Sequence, residues 1–210
     1  EDYLRIIRFL RFSIQYECED IDPKTVEAIK LNLDGIKNLS KERMMNELYK
    51  IFKLNNIDVL FGNQSLKEIF LIIFPELKYL KRLKKLLLVI KNKNIKQEVE
   101  TIFASLLVDE TDNYEYFCHK YKVSNKLKNE LFLMSKYYKE FKSDKNFLKT
   151  NFKKNIYYIG KKNIKNLLMF IYSVEKNFDY NSLIKKMNET DAFQVPKFPL
   201  NGEFLIKQGV

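Results

Sequence analysis

Residues 1–12 read EDYLRIIRFLRF, and the rest of the chain can be read outward from them. At roughly 100° per residue, Tyr3, Leu4, Ile6, Ile7, Leu10 and Ile14 fill one broad arc of a helix, which is the pattern of a buried stripe. Asp2, Arg5 and Arg8 fall on the other arc, with Phe9 and Phe12 among them. An ordinary surface helix keeps large aromatics off its polar side, so this second face is expected to be covered too, as a site. The spacing predicts a helix over residues 2–16.

Asp2 and Arg5 are related as i and i+3, and Glu1 and Arg5 as i and i+4, so the three heads lie one turn apart, on the order of 5 Å. A carboxylate only accepts hydrogen bonds and a guanidinium only donates them, in a rigid fork. Side by side they offer an acceptor edge and a donor edge. Cytosine and adenine each present an exocyclic amine beside a ring-nitrogen acceptor, the complement of such a pair, whereas uracil and guanine set a carbonyl against the carboxylate. Unpaired buried polar groups cost a few kcal/mol, enough for orders of magnitude in discrimination. An Asp and Arg pair can therefore select C and A together.

Outward from this helix, Gly and Pro number only 5 and 4 in 210 residues, and no long run alternates apolar with polar side chains. That predicts an all-α protein, a multi-helix array with no significant sheet. Asp22 is placed to cap a second helix with Pro23 at its first position, Val26, Ile29, Leu33 and Ile36 on its buried stripe and Gly35 near its end. Ser40 is the expected cap of a third helix, with Leu39 and Met44 as a hydrophobic staple and Met44, Leu48 and Ile51 facing inward. A capping box at Ser65 and Glu68 predicts a helix stopped by Pro75, followed by a long one over 76–91. Further helices are expected over 95–107, 112–121, 124–142, 145–156, 161–177 and 181–188, and a loop over 193–210.

Charge is unevenly shared. Residues 1–60 hold 10 Lys and Arg against 11 Asp and Glu, leaving 28 against 16 in the remainder, so the first part is neutral and the rest strongly basic. Lysines from Lys136 to Lys165 alternate with Tyr137, Tyr138, Phe141, Phe147, Phe152, Tyr157 and Tyr158, a composition suited to following a phosphate backbone. Four of the five arginines lie in the first 43 residues. Cys18 and Cys118 have no companions at metal-ligand spacing, and His119 is the only histidine, so Cys118 and His119 are expected to be structural or exposed rather than a catalytic dyad. The longest apolar run, residues 69–74, is far too short to cross a bilayer, and no signal-peptide pattern opens the chain. A cytoplasmic location without membrane contact is the expectation; oligomeric state is not legible.

At Glu1, Asp2, Arg5, Arg8, Arg11 and Phe12 the sequence resembles the class II CCA-adding tRNA nucleotidyltransferases and the related bacterial poly(A) polymerases, whose neck domain opens on ED-x-x-R followed by further arginines and RF. The resemblance continues through LSKERMMNEL (39–48), FPEL (74–77), SLL (105–107), VSN (123–125) and FPLNGEFLIKQG (198–209), in family order. It implies that Asp2 and Arg5 pair with the base of the incoming CTP or ATP, that Glu1 steadies Arg5, and that Arg8 and Arg11 help hold the nucleotide. It further implies a neck over 1–60, a body over 61–155 and a tail over 156–210, with the tRNA 3′ end as partner. The family's transfer chemistry uses Mg²⁺ on an Asp-x-Asp that follows a Gly-Ser pair in an N-terminal palm domain. Nothing in this sequence matches that motif, so the expectation is a piece of a larger enzyme, trimmed or encoded by a split gene, and inactive alone. The alternatives are a poly(A) polymerase fragment and a non-catalytic helical RNA-binding or scaffold module.

Overall fold

The computed structural model describes residues 3–93, 95 and 97–196. Among these residues thirteen helices follow one another and no strand occurs. They are α1 (Leu4–Gln15), α2 (Pro23–Leu31), α3 (Leu33–Lys37), α4 (Lys41–Phe52), α5 (Val59–Gly62), α6 (Gln64–Ile73), α7 (Leu80–Lys93), α8 (Val99–Leu107), α9 (Asn113–Tyr121), α10 (Asn125–Ser143), α11 (Phe152–Ile159), α12 (Lys161–Val174) and α13 (Tyr180–Ala192). The all-α expectation holds.

The arrangement follows from α8. Its sequence, VETIFASLL, has almost no polar face, and every residue of it except Glu100 is buried. Such a helix must be enclosed by others. α4, α7, α9, α10 and α12 surround it; α1 rests on α4 and α6, and α12 also carries α11 and α13. Buried side chains form one continuous cluster from Leu4 to Met187. Inside it Phe52, Phe103, Phe117, Tyr121, Phe74 and Phe70 make a closed circuit of rings, with successive centroids between 4.6 and 6.3 Å apart. Tilted and edge-to-face pairs at these separations add to simple burial. The circuit ties α4, which supports the site described below, to the middle of the molecule.

Several helix ends lie where the sequence places them. Asp22 accepts from the Lys24 amide at 3.0 Å, and Pro23 opens α2. Ser40 occupies the N-cap position of α4, although its hydroxyl makes no cap bond. Other ends differ for local reasons. The cap of α6 is Asn63, not Ser65, with Oδ1 accepting from the Leu66 amide at 3.0 Å. The second expected helix breaks at Asn32, whose side chain donates back to the Ala28 carbonyl at 2.8 Å and leaves α3 as a separate short turn.

α7 starts at Leu80, later than expected, because the preceding Glu76 is drawn inward. Its buried carboxylate accepts from Lys120 at 2.6 Å and from Tyr121 at 3.2 Å. Residues 145–151 form turns instead of helix, since Asp144 accepts from the Asn146 amide at 2.8 Å and from Asn151 Nδ2 at 2.9 Å. Gly160, at φ +84°, then permits the sharp corner between α11 and α12.

Candidate nucleotide-binding groove

α1 buries Leu4, Ile7, Leu10 and Ile14, as the periodicity requires. Ile6 and Phe9 are half-buried, and Phe12 is exposed. The helix is fixed at its far end by two asparagines. Asn56 Nδ2 donates to the carbonyls of Ile14 at 2.9 Å and Gln15 at 3.1 Å, and Asn63 Nδ2 donates to those of Cys18 at 3.1 Å and Glu19 at 3.0 Å. The Asn56 bonds reach carbonyls of the last turn of α1, where intrahelical donors run out, and those of Asn63 hold the segment beyond it. Asn63 thus caps α6 and holds the segment after α1 at once.

Glu47 is the anchor beneath the arginines. It lies on the Met44, Leu48 and Ile51 face of α4, with a side chain only 3% exposed. Its Oε2 accepts from Arg11 Nε at 2.8 Å and its Oε1 from Lys50 at 2.8 Å, while Arg8 Nε stands 3.7 Å from Oε1. Burial alone raises its pKa, but the hydrogen bonds and charges of Lys50 and Arg11 outweigh it and hold the carboxyl below the usual value. Arg11 also lies over the Phe12 ring at 4.1 Å, and Phe12 stacks on Tyr16 at 6.1 Å.

Arg5 is placed differently. It lines an open groove of about 600 Å³ between α1 and α2, walled by Tyr3, Ile6 and Phe9 on one side and by Thr25, Ala28, Ile29 and Asn32 on the other. Among the described residues its guanidinium has no hydrogen-bond or ion-pair partner. The Tyr3 ring lies over Gly35: a Cβ at Gly35 would stand 2.2–2.4 Å from ring atoms of Tyr3. The five sequence candidates thus separate. Arg5 lines the groove, Arg8 and Arg11 lean toward Glu47 outside its lining, and Glu1 and Asp2 lie outside the described residues.

Sequence reasoning named LSKERMMNEL without naming Glu47 as the anchor. The signal was there, since an acid on an otherwise apolar helical face needs a cationic partner. Nothing in the sequence pointed to Asn56 or Asn63.

Of the lysine-rich stretch, Tyr138, Phe147 and Phe152 are core residues, and Tyr137 and Phe141 are half-buried. Tyr157 and Tyr158 are exposed on α11 beside exposed Lys153 and Lys154. The fifth arginine, Arg82, spends its fork on the Val108 carbonyl at 2.8 Å, just past α8, with its head over Tyr79. Cys118 is buried, which pushes its thiol up to about 11, and His119 beside it is exposed, so they form no nucleophilic pair.

Residues 20–81 match the family described as the probable RNA and SrmB-binding site of polymerase A. Over that stretch the chain is similar to the CCA-adding enzymes and poly(A) polymerases. The mitochondrial CCA tRNA nucleotidyltransferase 1 of Homo sapiens is 45% identical over 60 residues, which is 28% of this chain and 14% of that protein. The CCA-adding enzyme of Staphylococcus aureus (strain Newman) is 43% identical over 68 residues, 32% of the chain and 17% of the relative. The Danio rerio mitochondrial enzyme is 41% identical over 58 residues, 27% and 14% of the two chains. These alignments therefore span about a sixth of the family members' length. The family match at 20–81 takes in α2 through α6, including Glu47, Asn56 and Asn63.

Proposed function

We propose that the chain is the neck (1–60), body (61–155) and tail (156–210) of an RNA nucleotidyltransferase that adds CCA to tRNA 3′ ends. In this reading the groove between α1 and α2 receives the base of CTP or ATP, with Asp2 and Arg5 as its protein template and Glu1 steadying Arg5. One observation carries it: Arg5 faces an open, aromatic-walled groove with no partner for its donors among the described residues, whereas Arg8 and Arg11 are tethered by Glu47. Tyr3 and Phe9 offer ring faces against which a base can lie. The volume is within the ordinary range for small-molecule sites, about 300–1,000 Å³. Arg8, half-exposed, can add charge for the triphosphate, and Arg11 fixes the helix.

Among the described residues no three His, Cys, Asp or Glu side chains gather at metal-binding distance. The proposal assigns the metal to a palm domain elsewhere in the enzyme, and expects this chain alone to incorporate no nucleotide. Among the described residues no helix is long and apolar enough to cross a membrane.

The test is 3′-end extension of tRNA lacking its CCA by the full-length gene product with CTP and ATP, resolved to single nucleotides. Stopping after C, C and A supports the proposal. The family description names polymerase A, which favours a poly(A) polymerase as the second reading, and a long A tract would establish that one. RNA binding without extension would leave a helical RNA-binding module.

Two further outcomes are expected. Gly35→Ala forces the Tyr3 ring aside, but Tyr3 is 38% exposed and can swing into solvent. Alanine is favoured over glycine in a helix by about 1 kcal/mol, so stability should change little. CTP affinity should fall severalfold at unchanged Tm, as read by calorimetric titration; unchanged affinity would remove Tyr3 from the site. For RNA, log K should fall linearly with log salt, by about 0.7–0.9 per phosphate engaged. Lys153→Ala with Lys154→Ala should flatten that slope in filter binding, and a flat slope in the wild type would count against phosphate tracking.

A further inference from the structure

A second cleft, of about 330 Å³, opens between the end of α7, the start of α8, α12 and α13, and shares no lining residue with the groove beside Arg5. Its apolar lining comes from Ile95, Met169, Ile184 and Met187. Asn166 lines it as well, on a residue only 8% exposed, and its carboxamide has no hydrogen-bond partner among the described residues. The amide is reached by solvent from the cleft, where it can both donate to and accept from a ligand that enters.

Three amines surround the cleft. Lys93 is exposed, Lys162 stands 3.7 Å from Glu98 with 68% of its side chain exposed, and Lys165 is bound to Asp191. The Lys162 contact is long enough for a phosphate to compete with Glu98 for it. An aliphatic ligand would leave Asn166 unpaired, and a bare anion would leave the thioether and aliphatic lining uncovered. A nucleotide matches all three features.

We infer that this cleft takes the base of one unpaired RNA nucleotide, with the Asn166 carboxamide pairing to the base edge, Met169 and Met187 against its face, and the adjoining phosphate at Lys162 and Lys93. Single-stranded RNA is commonly held in this way, one base splayed into a pocket and its backbone on cations. The site rests on the RNA-binding reading above and gives the basic C-terminal helices a point of registration. It is separate from selection of the incoming nucleotide.

The experiment uses the 210-residue chain and an acceptor-stem RNA with a single-stranded 3′ end, carrying an abasic residue at each unpaired position in turn. Fluorescence anisotropy at fixed salt should find one position where loss of the base weakens binding about tenfold. Asn166→Leu, near in size but without polar atoms, should weaken the intact RNA by a similar factor and abolish the abasic effect. Independently of how that variant folds, 4-thiouridine at the sensitive position should photo-cross-link the wild-type chain within the peptides bearing Met169 or Met187. RNA binding with no sensitive position, or with cross-links only elsewhere, would overturn the site while leaving the RNA-binding reading intact. Saturation by free AMP or CMP that does not compete with RNA would show a mononucleotide site instead and overturn it too. Absence of any RNA binding would overturn both readings.

Discussion

Replacing Glu47 with alanine should lower the unfolding free energy of this chain by about 2–3 kcal/mol. Removing one partner of a buried ion pair typically costs about 3–5 kcal/mol, because the other charge is left without compensation. Here the figure is discounted, since Lys50 and Arg8 have side chains 55% and 46% exposed and can turn to water. Arg11, only 17% exposed, is the group left stranded. Glu47→Gln should cost less, its carbonyl oxygen still accepting from Arg11. Urea denaturation at pH 7 reads the difference, and a loss below about 0.5 kcal/mol for the alanine variant would show that the carboxylate is not an anchor.

The same residue gives the effect a pH dependence. The folded pKa of Glu47 lies below its unfolded value, so its contribution is complete above that unfolded value, about 4.3, and is lost as pH falls through the folded one. Wild type should therefore lose its advantage over Glu47→Gln on acidification below about pH 4.5. Asp109 titrates in the same direction: burial raises its pKa, but the Thr111 and Tyr79 hydrogen bonds prevail and lower it. The comparison with Glu47→Gln isolates the Glu47 share. Parallel curves for the two proteins would contradict the assignment.

What the sequence reveals and conceals about this molecule separates along a physical line. The buried stripes of α1 and α4 are legible because burial imposes a 3.6-residue period on side-chain chemistry. α8 is legible as a helix for a weaker reason, its length and flanks, since an element buried all round carries no period. Boundaries set by one polar side chain are hidden. Nothing local separates Asn63, which caps α6, from Ser65, which does not, because the choice also depends on the carbonyls of Cys18 and Glu19 reaching Asn63. Glu76 likewise leaves the expected helix for partners 44 and 45 residues away. For the proposed site, the arginine series marks α1, the helix that lines the groove. Its division into Arg5 in the groove and Arg11 on Glu47 depends on a contact across 36 residues.

That division makes the last expectation specific. On the function proposed above, Asp2→Ala in the full-length gene product should relax selection against UTP and GTP by about two orders of magnitude while slowing C and A addition, the loss expected when a buried donor or acceptor no longer rejects a mismatched edge. Arg5→Lys should fail almost as completely as Arg5→Ala, because an ammonium offers a point charge where the template needs a planar fork. Arg11→Lys should behave otherwise, keeping C and A selectivity while giving up part of the Glu47 anchor. Competition of the four nucleoside triphosphates in single-turnover extension distinguishes these cases. Equal loss of selectivity at Arg5 and Arg11 would mean that α1 acts only as a scaffold, and unchanged selectivity in Asp2→Ala would refute the template. If instead selectivity follows Arg5 and stability follows Arg11, one helix performs both tasks through arginines that Glu47 sorts into free and bound.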